Sequence, residues 1–348
     1  MMPITCPKCG AEAVEGTRFC EIDGAALGPV VASAETAPSP VATETTGDGR
    51  CLTCGASADA NENGWCSACG RRWRTAEPAR DHKRVTISPT FGGVSDRGKR
   101  HPINEDDMAL ALVERAAGRE PITILVVADG VSSSEDAHRA SQVAAATVLA
   151  LLVEGIGEDD LSSVLVAAIA HANVAVNALV PMTPTATADP PETTLVAAVV
   201  RDREVTIGWV GDSRAYWIAD SPGADGPTRL LSHDHSWMND MVESGQMSAA
   251  EAERDRRAHA ITRCLGGSID DLEGSAPSLL TFTLPPDCRG RLLLCTDGLW
   301  NYTPEAAALA ALIAQSAQAD ATEVAGSLVA WANAQGGRDN ITVVTARF

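Results

Sequence analysis

The sequence predicts an α/β layered sandwich in which antiparallel pairing dominates, preceded by a small cysteine-rich module. Three observations carry this reading. From about residue 85 onward, short apolar blocks alternate with longer alanine-rich ones. The blocks 205–210 and 214–218 are joined by a turn too short for a crossover helix, which argues against a doubly wound parallel sheet. Seven of the ten cysteines fall within the first 69 residues, mostly as C-x-x-C pairs.

Strands are expected at Ile122–Ala128, Thr194–Val200, Val205–Val210, Arg214–Ile218, Arg291–Cys295 and Ile341–Ala346, each an apolar run of strand length. Helices are expected at Ser141–Val153, Leu161–Val180, Pro304–Ala314 and Ala321–Ala334, two between the early strands and two after the later ones. Residues 85–348 then form the large domain, with the polar, helical stretch 233–260 as a surface insertion. Upstream lie two cysteine units, 1–27 and 51–70, each followed by a linker, 28–50 and 71–84.

Of the 348 residues, 45% are hydrophobic but only 4% aromatic, so the core must be built from small aliphatic side chains. The net charge is −19, and residues 81–348 carry 20 Lys/Arg against 36 Asp/Glu. Such a surface repels phosphate backbones and excludes general nucleic-acid binding. No uninterrupted apolar stretch reaches the ~18–20 residues of a membrane span, and the N-terminus lacks the blocks of a secretory signal. A cytoplasmic protein is expected.

The chemistry concentrates in acidic clusters at strand ends. Ile122–Ala128 runs into Asp129-Gly130, and Arg291–Thr296 runs into Asp297-Gly298. Asp339-Asn340 precedes the last strand, and Asn104-Glu105-Asp106-Asp107 precedes another apolar run. One Asp-Gly is an ordinary turn dipeptide. Several carboxylates at the ends of buried strands are costly unless a cation stands between them. Oxygen donors alone suit magnesium or manganese rather than zinc.

The ordered set Asn104-Glu105-Asp106, Asp129-Gly130, Gly211-Asp212-Ser213-Arg214, Thr296-Asp297-Gly298 and Asp339-Asn340-Ile341-Thr342 resembles the PPM (type 2C) metal-dependent protein phosphatases. Ser232-His-Asp-His-Ser236 and Leu265-Gly266-Gly267 resemble their bacterial branch. The family fold is an α-β-β-α sandwich, with antiparallel sheets flanked by helix pairs. The resemblance implies hydrolysis of phosphoserine and phosphothreonine on proteins, opposing a serine/threonine kinase. It implies two Mn2+ or Mg2+ ions bridged by Asp129, with Asp297 and Asp339 completing one shell. Glu105 and the Gly130 carbonyl serve the other shell, and the pair activates a water. Asp106 and Asp212 become supporting groups.

The chain departs from the pattern in places. The family's phosphate-binding arginine falls at His101, with Arg100 beside it, and a common glycine pair is replaced by Ser132-Ser133. No histidine acid follows Asp129-Gly130, because that residue is Val131. A weak third metal site would use Asp189, but Asn301 stands where some relatives have an acid. Cys295 reads as a buried small hydrophobe rather than a nucleophile. The departures leave a second reading open, a pseudophosphatase scaffold that binds phosphoproteins or partners without turnover.

The cysteines point elsewhere. Cys51, Cys54, Cys66 and Cys69 form C-x2-C-x11-C-x2-C, close to a zinc ribbon. Cys6, Cys9, Cys20 and Asp23 form a less complete copy, either a zinc site with an oxygen ligand or degenerate. Tandem ribbons resemble protein-docking modules, so a protein partner is expected there.

Overall fold

A computed structural model describes residues 82–348, apart from 116–118, 158–159, 180–188, 222, 224–225, 268–276 and 317–318, together with three dipeptide strands nearer the N-terminus. The candidate zinc ligands Cys6, Cys9, Cys20, Asp23, Cys51, Cys54, Cys66 and Cys69 lie outside the described residues.

The strands are β1 (His82–Ser88), β2 (Phe91–Asp96), β3 (Asp106–Val113), β4 (Ile122–Asp129), β5 (Leu195–Arg201), β6 (Glu204–Val210), β7 (Arg214–Ala219), β8 (Ser278–Thr283), β9 (Gly290–Cys295) and β10 (Ile341–Arg347). The longer helices are α1 (Ala137–Glu154), α2 (Leu161–Asn177), α3 (Trp237–Glu243), α4 (Ala306–Ala314) and α5 (Ala321–Gln335). One sheet runs β8-β6-β5-β4-β3, closed by Val30–Val31 beside β3; this dipeptide falls in the stretch expected to be linker. The other runs Arg229–Leu230, then β7-β9-β10-β2-β1. Every described strand pair is antiparallel.

Three apolar layers hold this α-β-β-α stack together. Ile122, Ile124, Val126 and Ala128 of β4 pack with α1 and α2. The alternate residues, Leu125 and Val127, pack between the sheets with Met108, Ile207 and Leu294. Val343, Leu293 and Tyr216 pack with α4 and α5. A strand buried on both faces is apolar at nearly every position, which is why β4 reads as an apolar run broken only by Thr123 before Asp129. Small side chains let the helices lie close: Ala140, Ala144 and Ala145 of α1 meet Leu165, Ala168 and Ala172 of α2.

By length and composition, Ala137–Gly157 is apolar enough to cross a membrane. Its face of Ala140, Ala144, Val148 and Leu152 is fully buried in the core, which accounts for that apolarity within a layered domain.

Segment 233–260 carries α3 and the short helix Ala249–Ala252. Its beginning is interior rather than surface, because Asp234, His235 and Ser236 are buried.

Candidate active site

Antiparallel pairing brings the acidic strand ends to one end of the sandwich. β3 begins at Asp106 and β4 finishes at Asp129, and the register places these two residues directly opposite each other. β9 leads into Asp297, and β10 begins just after Asp339-Asn340, with Cys295 paired to Val343. β9 also pairs with β7, setting Arg214 of the Gly211-Asp212-Ser213-Arg214 turn against Cys295.

The carboxylates at this end disfavour each other's charge. Burial pushes Asp129 well above the ordinary carboxylate range, and repulsion from Asp106, Asp297, Asp339 and Asp212 adds to it. Asp297 is likewise pushed well up, by burial and then by Asp212, Asp339 and Asp106. Burial raises Asp106 to about 7, against the hydrogen bonds of Thr342 and Thr296. Asp212 also reaches about 7, through burial and the Asp234 charge.

Beneath Asp106 lies a buried hydroxyl network. The Thr342 hydroxyl is 2.7 Å from both Asp106 Oδ2 and Ser95 Oγ, and Thr296 Oγ1 donates to the same carboxylate oxygen at 2.9 Å. The single Thr342 proton belongs on the carboxylate, which leaves Ser95 to donate to Thr342. Ser95 in turn accepts from Asn104 Nδ2 at 2.8 Å. Asp106 Oδ1 is buried with no hydrogen-bond partner. Such an oxygen is costly unless a cation or donor meets it.

Glu105 is fixed by its backbone. Its carbonyl accepts from Gly130 N–H at 3.2 Å and from the Ser141 hydroxyl, and its N–H donates to Asn340 Oδ1 at 2.8 Å. Asn340 Nδ2 donates to the carbonyls of Arg97 and Ile103, stitching the loop before Glu105 to the start of β10. Ser132 Oγ donates to Glu105 Oε2 at 2.5 Å, so the serine in the place of the family's glycine orients the carboxylate. Neither Asp-Gly glycine is needed for a positive φ. A Cβ on Gly130 would press on the Glu105 and Ala137 carbonyls, and one on Gly298 would collide with the Asn340 carbonyl. These glycines permit close backbone approach at the carboxylate end.

His101 sits between two of the acids. Its Nε2 is 3.2 Å from Asp339 Oδ1 and its Nδ1 is 3.8 Å from Glu105 Oε2. Arg100 is exposed on the same loop. Asp189 is exposed too; burial and then the Asp189 charge raise Glu192, and the Asp189 carbonyl accepts from Glu135 N–H. Asn301 Nδ2 donates to Asp297 Oδ2 at 2.9 Å, so it braces a carboxylate where some relatives have another acid. Cys295 is fully buried in β9, and burial pushes its thiol up.

The turn carrying Asp212 is locked from the 233–236 corner. Arg214 forks onto Asp234, Nε to Oδ1 at 2.9 Å and Nη2 to Oδ2 at 2.7 Å, and lies 3.8 Å over the Trp300 ring. Gly211 N–H donates to His235 Nδ1 at 3.1 Å, with His235 Nε2 2.9 Å from Ser278 Oγ. An accepting Nδ1 requires neutral imidazole. Burial, then Arg263 and His233, lowers His235 to about 4.

The acids therefore present oxygen donors only, one of them an unpartnered buried oxygen, and this chemistry fits hard divalent cations such as Mg2+ or Mn2+. Among the described residues no three His, Cys, Asp or Glu side chains already form a closed chelating cluster. The hydroxyls of Thr296, Thr342, Ser132 and Ser141 were not foreseen as part of the site. The signal for the threonines is a hydroxyl beside the acidic motif in strand ends that are otherwise apolar.

A protein phosphatase 2C family model matches residues 98–332. The chain is similar to the serine/threonine phosphatase stp of Listeria innocua, 35% identical over 152 residues, which are 44% of this chain and 55% of that protein. It is also 32% identical to the protein phosphatase PhpP of Streptococcus pneumoniae, over 43% of this chain and 56% of that one. The match thus spans about half the length of these curated relatives. Among solved structures, the Mycobacterium tuberculosis serine/threonine phosphatase PstP/Ppp superposes with a TM-score of 0.56 at 27% identity, covering 74% of this chain and 97% of that one. The PstP catalytic domain in complex with two manganese ions gives a TM-score of 0.56 at 28% identity, with the same coverage.

The crowding sets a pH dependence. A carboxyl whose folded pKa is raised stabilises the fold at low pH, and that stability is lost as pH rises through the folded pKa. His235 works in the opposite sense, but only below its unfolded value near ~6.5. Between about pH 6.5 and 8.5 the carboxyls act alone. Metal-free protein should lose stability across this window, on the order of 1–3 kcal/mol, and Asp106→Asn should flatten the loss. Thermal unfolding in chelator at the two pH values measures it; equal slopes in the two proteins contradict the assignment.

Proposed function

The chain belongs to the protein phosphatase 2C family, and from that premise we propose that it hydrolyses phosphoserine and phosphothreonine on proteins, in opposition to a serine/threonine kinase. One observation carries the reading: Asp106, Asp129, Asp212, Asp297 and Asp339 meet at one end of the sandwich with oxygen donors only, and burial with the neighbouring acid charges holds Asp129 and Asp297 well above the ordinary carboxylate range. Asp129, Asp297 and Asp339, with Glu105 and the Gly130 carbonyl, would hold two Mn2+ or Mg2+ ions. When bound, such a pair supplies Lewis acidity that makes water nucleophilic at neutral pH.

The protein's own residues position that chemistry. Asp106 braces Asp129 from the opposite strand, with Thr296 and Thr342 holding its carboxylate in place. Ser132 aims the Glu105 carboxylate, Asn301 aims that of Asp297, and Asn340 ties the loop before Glu105 to the start of β10. His101 is the side chain on its loop that reaches the acids, and it takes the place of the phosphate-binding arginine. The scaffold reading rested on His101 and Ser132-Ser133. The contacts of both support a working site: Ser132 orders a ligand, and His101 faces the centre.

For the N-terminal cysteines we infer zinc, held by Cys51, Cys54, Cys66 and Cys69 as a ribbon and by Cys6, Cys9, Cys20 and Asp23 in the shorter copy. Thiolate pairs of this spacing suit a reducing compartment, so a cytoplasmic protein with a docked protein partner is the consistent picture.

Three outcomes test these readings. Asp297→Asn and Asp339→Asn should each abolish manganese-dependent turnover of p-nitrophenyl phosphate, by at least ~100-fold, while the protein stays folded; full turnover in either overturns the site. His101→Arg should lower KM by offering a permanent charge and a donor fork, with kcat changing less; an unchanged KM removes His101 from phosphate binding. Elemental analysis of the dialysed full chain should find at least one zinc per chain, reduced in Cys54→Ser; zinc-free protein refutes the ribbon.

A further inference from the structure

Cations are scarce in this chain of net charge −19, yet several stand at the rim of the carboxylate centre. The loop before Glu105 reads Arg97-Gly98-Lys99-Arg100-His101, and Arg338 immediately precedes Asp339. The fold brings these two stretches together. Lys99 N–H donates to Gly337 O at 2.7 Å, and Arg338 N–H donates to the Tyr302 hydroxyl at 3.0 Å. His101 closes the gap from the same loop, with Nε2 3.2 Å from Asp339 Oδ1.

Lys99, Arg100 and Arg338 are exposed, and no side-chain ion pair or hydrogen bond of theirs is seen among the described residues. The nearest acid on the loop is occupied elsewhere: Asp96 bonds His82, Gly98 N–H and Asn333. By contrast, Lys83, Arg115, Arg214 and Arg347 are each paired with an aspartate. Three unpaired cations beside the acids would hold a bound anionic chain against an otherwise repulsive surface.

Resting on the phosphatase reading, we propose that Lys99, Arg100 and Arg338 form a substrate-docking rim that selects phosphoproteins with acidic side chains flanking the phosphorylated residue. The phosphate itself goes to the carboxylate centre and its cations; the flanking aspartates and glutamates go to the rim. Exposed cations act mainly on encounter and are screened by salt, so the selection should be strongest at low ionic strength.

The test uses the full chain with manganese and phosphoserine peptides that differ only in flanks: acidic, neutral or basic. Wild type should show kcat/KM about tenfold higher for the acidic than for the neutral peptide at low salt, and the ratio should shrink towards one in about 0.5 M salt. Lys99→Gln with Arg338→Gln should collapse the ratio while the neutral peptide is still turned over, which also reports the fold. Equal rates on all flanks in wild type, or a ratio unchanged in the double variant, overturn the docking rim while the phosphatase reading stands. Absence of turnover on every peptide and on p-nitrophenyl phosphate overturns the phosphatase reading and this inference with it.

Discussion

Asp106 and Asp129 stand directly opposite each other on adjacent strands of one sheet, each made harder to ionise by burial, and the surrounding structure follows from keeping that pair tolerable. Two like charges at this separation from water are held only where donors or cations offset them. Thr342, Thr296, Ser95 and Asn104 provide a donor network on one side of Asp106. The other oxygen, Oδ1, is buried without a hydrogen-bond partner. The same logic puts glycine at positions 130 and 298, where the backbones must close up so that Glu105 and Asn340 reach their partners.

A buried ion pair locks the turn that carries Asp212. Arg214 and Asp234 satisfy each other by a two-bond fork, and Trp300 covers the guanidinium. Losing one partner would strand a buried charge, which typically costs about 3–5 kcal/mol. Because Trp300 Nε1 also bonds the Asp212 carbonyl at 2.9 Å, the pair, the ring and the acidic turn behave as one unit. His235 extends that unit by accepting from Gly211, and this explains why part of the polar segment 233–260 is interior.

Much of this was legible in the sequence, for definite reasons. Apolar runs buried on both faces, such as β4 and β9, announce themselves, and the expected helices overlap α1, α2, α4 and α5. β1 and β2 were not anticipated: β1 is an edge strand with polar, partly exposed residues, and β2 opens with Phe91-Gly92-Gly93, which suggests a turn. β8 alternates between partly covered and exposed residues at the other sheet's edge and carries no apolar run. Motif order located the acids, but sequence spacing is blind to hydroxyls that meet across more than a hundred residues, as Thr342 and Asp106 do.

The design has a consequence for stability and activity alike. Carboxylates gathered at the ends of five strands repel one another, so the arrangement that prepares a cation site also weakens the cation-free fold at neutral and higher pH. The three apolar layers must supply the surplus, and they do so largely with aliphatic residues packed on both sheets. That division separates the roles of the chain. The layers fix where the strand ends lie, the hydroxyls and Asn340 fix how the acids point, and the loops at the rim are free to vary in charge. On the proposed reading, Lys99 and Arg338 are exposed and can change in charge without disturbing the buried acids.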